Sequence, residues 1–301
     1  MTYSEIWHRI ATSYDDGEAR AIARILIEEL FGLSYADIVC GATEQLSADD
    51  TLRLDTAVRR IEQGEPLQHV LGYADFCGNR FCVNGSVLIP RPETEWLVDE
   101  GAKLMSDGNT PTDIKKPKSK RILDIGTGSG CIAISLKLRL GDAYVEAWDI
   151  SEEALRTAQD NADALKAEVV FRKRDALRAD NTAAPWDLIV SNPPYICDSE
   201  RTAMDDNVLL HEPHTALFVP DDDPLRFYRA IARYALLTLN IGGSLLFECN
   251  TRYAEATGTM LSDMGFEEVT VSDDCFNLPR FVRGSSPSQP SPSGRAWLPK
   301  A

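Results

Sequence analysis

The sequence predicts an α/β protein with a Rossmann-like, mostly parallel sheet, an antiparallel edge strand and a small N-terminal helical domain. The first observation is that short apolar runs alternate with amphipathic segments from Lys120 onwards, as in "RILDIG", "CIAISLKLRL", "AYVEAWDI", "SEEALRTAQDNADAL" and "WDLIV". The second is that "GFEEVTVSDDCFNLPRFVRG" contains two strand-like runs without a helix between them, which predicts an antiparallel pair at one edge. The third is that a glycine-rich turn directly follows the first strand of the alternating region.

Residues 1–70 are predicted to be helical. "EARAIARILIEELFGLS" places apolar residues at helical spacing, and "SADD" has the pattern of a capping box ahead of "TLRLDTAVRRIEQG". The segment carries six Lys and Arg against thirteen Asp and Glu, so it lacks the basic face of a nucleic-acid reader. Two interpretations stay open for it: a bundle that docks a partner protein, and a purely structural cap.

With the segments that follow residue 70, the chain divides into four predicted parts. Residues 71–90, with "GN" and then "NG" between alternating aromatic and apolar residues, predict a β-hairpin linker. "PRPETEWLVDEGAKLM" predicts a helix with Pro92 in its first turn, and the polar "SDGNTPTDIKKPKSK" predicts a surface loop. The Ser- and Pro-rich tail is expected to be disordered. The predicted parts are therefore the helical domain 1–70, the linker 71–90, the main domain 91–284 and the tail 285–301.

The composition is that of a soluble globular protein, with 44% hydrophobic and 26% charged residues among 301. No apolar run approaches the roughly 18 residues of a membrane span, and the N-terminus lacks a signal-peptide pattern, so a cytoplasmic protein is expected. The formal net charge of -16 disfavours nucleic acid as a partner and favours a small molecule or a basic protein surface. Seven cysteines without a C-x-x-C pair predict reduced, mostly buried thiols.

The turn "LDIGTGSG" has the character of a cofactor site. Gly126, Gly128 and Gly130 come between a strand and a helix, where glycines allow close backbone approach and the helix start offers amides. The spacing is G-x-G-x-G and not the G-x-G-x-x-G of dinucleotide binders. Asp124 precedes the glycines, where its carboxylate can face a cationic group of a ligand rather than a pyrophosphate.

Two further acids end the next two strands. Asp149 lies 21 residues beyond Gly128, where a carboxylate can accept hydrogen bonds from both hydroxyls of a ribose. An N-cap for the next helix is the alternative, although Ser151 fills that role better. Asp175 follows the third strand, where an acid can take an adenine amino group. Together with the glycines, these positions favour S-adenosylmethionine over a nicotinamide cofactor.

The segment "SNPPYI" ends the fourth strand of the alternating region. Its two prolines lock φ and carry no N–H, so the turn presents hydrogen-bond acceptors at a fixed angle. The side-chain oxygen of Asn192 and the carbonyl of Pro193 can accept the two N–H groups of a planar amino group, and Tyr195 can stack on it. The segment predicts a site that orients a planar nitrogen for methylation, with an ordinary strand-ending turn as the alternative.

Other polar clusters are less promising. His211, Glu212 and His214 lack the i, i+4 histidine pair of a zinc-binding helix, so we expect no metal and a loop near the substrate pocket. Glu93 and Glu95, as alternate residues of a helix, point in different directions, which favours a structural or substrate-loop role over paired catalysis.

Six motifs together resemble the release factor glutamine methyltransferases of the PrmC/HemK type, in order and in spacing: "PLQHVLG", "LIPRPETE", "LDIGTGSG", "IVSNPPY", "HEPHTAL" and "FNLPRFVRG". The resemblance covers residues 1–284 and is strongest from Pro66 onwards. It implies a class I S-adenosylmethionine-dependent fold and an N-terminal domain that helps to recognise the substrate. It also implies methylation of the side-chain amide of the glutamine in the Gly-Gly-Gln motif of class I peptide chain release factors. We expect a monomer without membrane or direct nucleic-acid contacts.

By position, the resemblance assigns roles to individual residues. The cofactor contacts are Asp124, Gly126, Thr127, Gly128, Ser129, Gly130, Asp149, Asp175, Ala176 and Asn192. The catalytic residues are Asn192, Pro193 and Tyr195, and the substrate contacts are Asn192, Pro193, Pro194 and Tyr195. This chain has Glu93 where many members have Asp, and Ala176 where some have an aromatic residue.

Three alternatives remain. The enzyme can act on another planar nitrogen, either a ribosomal-protein glutamine or adenine N6 in nucleic acid. The acidic N-terminal region argues against the nucleic-acid version. A non-catalytic cofactor-binding scaffold is the third alternative, and the intact segment from Asn192 to Tyr195 argues against it.

Overall fold

The computed structural model describes residues 1–106, 119–179 and 185–288, and it confirms the predicted α/β class. Most of the predicted surface loop at residues 106–120 and of the predicted tail at residues 285–301 lies outside the described residues.

The N-terminal part consists of short helices around an apolar core of their own. The helices are α1 (Tyr3–Ile10), α2 (Asp16–Phe31), α3 (Tyr35–Val39), α4 (Ala48–Glu62) and α5 (Leu67–Leu71). Ser47 accepts a hydrogen bond from the Asp50 amide and so caps α4 as predicted, but Asp50 accepts from the Ser47 hydroxyl and not from its amide, so the full capping box is absent. Arg9 joins α1 to α4 through ion pairs with Asp55 and Glu62 at 2.8 and 2.7 Å.

The predicted hairpin is present, but its turn is one residue earlier than "GN". Strands β1 (Tyr73–Phe76) and β2 (Asn79–Cys82) pair antiparallel around Cys77 and Gly78. Both turn residues have positive φ, 48° and 75°, as a two-residue hairpin turn of the right twist requires. The sequence motif at "NG" does not form a hairpin turn.

The main domain is built on a seven-stranded sheet in the order β10-β11-β9-β6-β3-β4-β5, with a separate two-stranded pair β7-β8. The strands are β3 (Arg121–Ile125), β4 (Tyr144–Asp149), β5 (Val169–Lys173), β6 (Trp186–Ser191), β7 (Ile196–Cys197), β8 (Phe218–Val219), β9 (Leu239–Glu248), β10 (Glu267–Asp273) and β11 (Pro279–Ser285). The five strands from β9 to β5 are parallel, whereas β11 and β10 run antiparallel at the edge, as predicted. Strand β11 continues to Ser285, the first residue of the predicted tail.

Helices cover both faces of this sheet. They are α6 (Glu95–Ser106), α7 (Cys131–Leu140), α8 (Glu152–Leu165), α11 (Arg226–Thr238) and α12 (Ala254–Asp263). Two short helices, α9 (Asp206–His211) and α10 (His214–Leu217), lie in the connection between β7 and β8. One core packs α6 and α7 against the sheet, and a second packs α11 and α12 against the other face. Within the described ranges, no helix has both the length and the apolarity required to cross a membrane.

Helix α12 is absent from the sequence prediction because its buried face uses small residues. That face consists of Ala254, Thr257, Gly258 and Leu261, which give no strong apolar periodicity. A Cβ on Gly258 would lie 3.0 Å from Val271 Cγ2, so the glycine lets the helix approach the edge strand closely.

The cysteines differ from expectation in their burial. All seven are unpaired and lie in the described part of the chain. Cys131, Cys197 and Cys249 are buried, whereas Cys40, Cys82 and Cys275 are exposed.

The strand order creates a crevice at the carboxyl ends of β3 and its neighbours. From β3 the chain proceeds through β4 and β5 on one side, and β6 and β9 lie on the other. Open α/β sheets bind ligands where the strand order reverses in this way. The sequence-predicted site residues lie in the last positions of β3 and β4 or after β3, β5 and β6, so the fold brings them to this end of the sheet.

Candidate active site

The glycine turn after β3 has a backbone that side chains rarely tolerate. Gly126, Gly128 and Gly130 have φ of 77°, 54° and 82°. The amides of Gly126 and Thr127 both donate to the Trp148 carbonyl at 2.9 Å, which ties the turn to β4. An added Cβ at Gly130 would lie 2.9 Å from Ile134 Cδ1, because α7 starts tightly packed there. The turn is therefore held open toward the crevice by its glycines.

Asp124 is fully buried at the end of β3. Its Oδ2 accepts a hydrogen bond from Thr127 Oγ1 at 2.6 Å, whereas its Oδ1 makes no hydrogen bond of good geometry with the described residues, although the Ala133 amide is close enough to lower the pKa of the carboxyl. Burial raises the pKa of the Asp124 carboxyl to about 7. Thr127 and Ser129 are also buried, so their side chains point into the fold. The unpartnered Oδ1 is an acceptor that a cationic ligand group can satisfy.

Asp149 connects β4 to the glycine turn. Its Oδ2 accepts from the Gly128 amide and its Oδ1 from the Ser151 amide, both at 2.9 Å. Burial raises the pKa of this carboxyl. Ser151 caps α8 by accepting from the Ala154 amide at 3.1 Å. Asp149 is thus not the helix cap, and its carboxylate lies between the two segments.

The side chain of Asp175 forms a hydrogen bond within its own turn. Its Oδ1 accepts from the Leu177 amide at 2.9 Å and caps a short 3₁₀ turn, Ala176–Arg178. Ala176 packs at the edge of the core beneath α11. The predicted adenine contacts are therefore at the end of β5, and their role stays a prediction.

The segment after β6 lies against the glycine turn. Ser191 Oγ donates to the Ile125 carbonyl at 2.6 Å, which joins the ends of β6 and β3. A Cβ on Gly126 would lie 3.9 Å from the Asn192 carbonyl oxygen. Pro193 is buried, and no amide of the described residues donates to its carbonyl. The structure therefore places the amino-group site predicted at Asn192 next to the cofactor site predicted at the glycines.

Two buried residues behind Asn192, Thr94 and Glu248, are not indicated by any sequence motif. Thr94 Oγ1 donates to Glu248 Oε2 at 2.7 Å, and Asn192 Nδ2 donates to Thr94 Oγ1 at 3.4 Å. The hydroxyl of Tyr195 lies 3.4 Å from Glu248 Oε1. Burial raises the pKa of Glu248. The sequence contains one indication of this role, because Glu248 is an acid at the end of the apolar run "GSLLFE". Only the structure shows that this strand pairs with the one that leads to Asn192.

The "HEPHTAL" segment packs on the segment ahead of α6, but it forms two short helices and not a loop. Glu212, between α9 and α10, is buried and accepts from Arg91 Nη2 at 2.6 Å and from the Ile89 amide at 3.3 Å. Glu95 accepts from the Cys77 amide at 2.7 Å, away from this contact. Among the described residues, no cluster of His, Cys, Asp and Glu is arranged to hold a metal ion.

Replacing Asp124 by asparagine is expected to flatten the pH dependence of stability. With a pKa near 3.8 when unfolded and about 7 when folded, the carboxyl binds more protons in the folded state between these values. The contribution of this carboxyl to the free energy of unfolding is therefore fully present below pH 3.8 and is lost as the pH rises through about 7. In urea unfolding without cofactor, the loss of unfolding free energy from pH 5 to pH 8 should be smaller for Asp124→Asn than for the parent.

Asp160→Asn, at an exposed position of α8, is the charge-matched control and should keep the parental pH slope. Equal slopes for the parent and Asp124→Asn would show that the Asp124 carboxyl does not titrate in this range.

Two parts of the chain match models of known protein families. Residues 8–72 match the family model described as the PrmC N-terminal domain. Residues 96–217 match the Methyltransferase small domain. The hMettl16 catalytic domain, solved in complex with MAT2A 3′UTR hairpin 6, covers 81% of this chain and 84% of its own at 16% identity and a TM-score of 0.53, which shows a shared fold.

Curated relatives cover nearly the whole chain. The release factor glutamine methyltransferase of Bacteroides thetaiotaomicron is 44% identical over 89% of this chain and 93% of its own. That of Flavobacterium psychrophilum is 37% identical over 91% and 94%. With this identity across both chains, and with the glycine turn and the Asn-Pro-Pro-Tyr segment brought together in one crevice, the chain belongs to the release factor glutamine methyltransferase family.

Proposed function

We propose that this protein transfers a methyl group from S-adenosylmethionine to the side-chain amide nitrogen of the glutamine in the Gly-Gly-Gln motif of class I peptide chain release factors. The observation that carries the proposal is the position of Asn192 against the Gly126 turn, in a chain of this family. The relatives are named as release factor glutamine methyltransferases, which indicates the substrate. The residues at the crevice indicate how the methyl group is transferred.

The residues at the crevice suit the cofactor. We propose that Asp124 Oδ1 meets a cationic group of the cofactor and that the Asp149 carboxylate accepts from the ribose hydroxyls, which the geometry of the two acids supports. The open backbone at Gly126 and Gly128 leaves room for the ligand. We propose that Asp175 and Ala176 contact the adenine. When bound, S-adenosylmethionine supplies a methyl group activated by its sulfonium.

The Asn-Pro-Pro-Tyr segment compensates for the weak nucleophilicity of an amide nitrogen, whose lone pair is conjugated with the carbonyl. Asn192 Oδ1 accepts one N–H of the substrate and the Pro193 carbonyl accepts the other. These two acceptors fix the nitrogen and aim it at the cofactor side of the crevice. Tyr195 lines the substrate amide, and burial raises the pKa of its phenol, so the ring stays neutral. Pro194 keeps the turn in one conformation.

Orientation and fixed dipoles supply most of the rate in this scheme. An asparagine side chain cannot act as a base. The substrate nitrogen becomes acidic as it gains its new bond, so its proton passes to water or to a nearby acceptor after transfer.

We propose that residues 1–70 form the domain that recognises the release factor, that 71–90 link it, that 91–284 carry out catalysis and that 285–301 form a tail. The excess of acids in the first part favours a basic protein partner. Arg80 of the hairpin pairs with Glu29 of α2 at 2.9 Å, and Cys82 exchanges two hydrogen bonds with Asn161 of α8. These contacts join the hairpin to α2 on one side and to α8 on the other, which supports its proposed role as the link between the two domains. The cytoplasmic location and the monomeric state stay predictions.

Mass spectrometry of purified release factor, incubated with the enzyme and labelled S-adenosylmethionine, tests the function. We expect one methyl group on the glutamine of the Gly-Gly-Gln peptide and none when that glutamine is replaced by glutamate. Parallel reactions with ribosomal proteins and with DNA should remain unlabelled. Label confined to either of these, with unmodified release factor, would overturn the proposal.

A further inference from the structure

A buried hydrogen-bonded chain stands behind the proposed substrate site. It runs from Asn192 through Thr94 to Glu248 and back to Tyr195, with contacts of 3.4, 2.7 and 3.4 Å. Thr94 is 3% exposed and Glu248 is 1% exposed. Three separate segments meet in it: the 3₁₀ turn Pro92–Thr94, the end of β9 and the turn after β6. Strands β6 and β9 pair with Ser191 opposite Phe247, which brings Glu248 beside Asn192.

The donor and acceptor inventory sets the direction of the chain. Both oxygens of Glu248 accept, Oε2 from the Thr94 hydroxyl at 2.7 Å and Oε1 from the Tyr195 hydroxyl at 3.4 Å, so the single hydroxyl hydrogen of Thr94 is committed to Glu248. The lone pairs of Thr94 Oγ1 then face Asn192, and they can be met only by the Nδ2 group of its amide. Burial and the nearby Glu93 raise the pKa of Glu248, whereas the hydrogen bond from Thr94 and the charge of Arg280 favour the ionised carboxylate.

This direction decides which end of the Asn192 amide faces the substrate. With Nδ2 bound to Thr94, Oδ1 points the other way and is available to accept an N–H. A flipped amide would present two N–H donors to a substrate amino group, which also donates. The second oxygen of Glu248 meanwhile receives the Tyr195 hydroxyl, so one carboxyl restrains both polar side chains of the segment.

We propose that Thr94 and Glu248 are positioning residues that set the amide orientation of Asn192 for methyl transfer, which rests on the proposed function. They act through Asn192 and Tyr195 and touch neither substrate nor cofactor.

The test compares Thr94→Val, which keeps the shape of the side chain and removes the hydroxyl, with Thr94→Ser, which keeps the hydroxyl. We expect Thr94→Val to lower kcat about tenfold or more, as loss of one buried hydrogen bond at a reacting group does, with little change in KM for S-adenosylmethionine. Thr94→Ser should recover most of kcat. Thr94→Ala removes the hydroxyl without adding a methyl group and answers the same question if the valine variant does not fold.

The matched control is Thr238→Val in α11. Thr238 is equally buried at 3% and donates only to the Tyr234 carbonyl at 2.8 Å, so its loss should reduce stability without changing kcat. Unchanged kcat in both Thr94→Val and Thr94→Ala, or equal losses in these variants and Thr94→Ser, would overturn the proposal.

A second readout separates this inference from the proposed function. The side-chain amide protons of Asn192, assigned by their absence in Asn192→Ala, should exchange slowly with solvent in the parent and in Thr94→Ser but faster in Thr94→Val. If the parent fails to methylate release factor yet shows this pattern, the function is wrong and the positioning stands. If methylation occurs and exchange does not depend on Thr94, the positioning is wrong.

Discussion

Replacing Asn192 by alanine is expected to slow methylation of the release factor by about 10²–10³-fold, the usual cost of removing one fixed group that stabilises the transition state. The affinity for S-adenosylmethionine should change by much less, because the glycine turn and Asp149 remain in place. Single-turnover rates at saturating cofactor and calorimetric titration of the cofactor measure the two quantities.

Asn240→Ala is a suitable control, since Asn240 is an exposed residue whose side chain donates to Asp187 at the starts of β9 and β6, the opposite end of these strands from Asn192. It should leave both quantities at the parental level. An Asn192→Ala protein with the parental single-turnover rate would remove the acceptor role of Asn192 from the mechanism.

Gly130→Ala is expected to destabilise the folded protein by about 2–5 kcal/mol, through strain and overpacking together. The residue at position 130 has a φ of 82°, which a side chain disfavours. The new methyl group would also lie 2.9 Å from Ile134 Cδ1 and 3.1 Å from Ala158 Cβ. Both neighbours are fully buried, so neither can move aside without disturbing the core between α7 and α8. Chemical denaturation without cofactor measures the loss.

Gly32→Ala separates the two causes. Gly32 also has a positive φ, 67°, but nothing lies within 4 Å of an added Cβ. It should therefore show only the strain, about 1–2 kcal/mol. Equal losses at Gly32 and Gly130 would mean that α7 shifts to accept the methyl group, contrary to the tight packing described above.

The features best predicted from the sequence are the helices and strands, because each depends on a pattern of neighbouring residues. Apolar periodicity located β3 to β6 and the helices between them, and the missing helix after β10 revealed the antiparallel edge. The parallel direction of these strands then followed from the general behaviour of alternating strands and helices. Because parallel strands end at one edge, the order of the motifs along the chain was enough to predict that Asp149 and Asn192 lie near the glycine turn.

What the sequence did not reveal depends on distant pairs. Thr94 and Glu248 are 154 positions apart, and no local pattern shows that one strand end will meet one helix start. The "PRPETE" motif drew attention to its two carboxylates, yet its threonine lies next to Asn192. The hairpin turn was misplaced by one residue because Cys77, a residue that rarely adopts positive φ, occupies the first turn position.

The pairing of Thr94 with Glu248 also has a consequence for biosynthesis. This contact and the Arg91–Glu212 ion pair close loops of 154 and 121 residues. Long loops are entropically costly to close and form late in folding. A ribosome must translate beyond Glu248 before the Asn192 amide can be held in one orientation, whereas the glycine turn is synthesised much earlier. The turn proposed to hold the cofactor therefore leaves the ribosome well before the residue that orients the Asn192 amide.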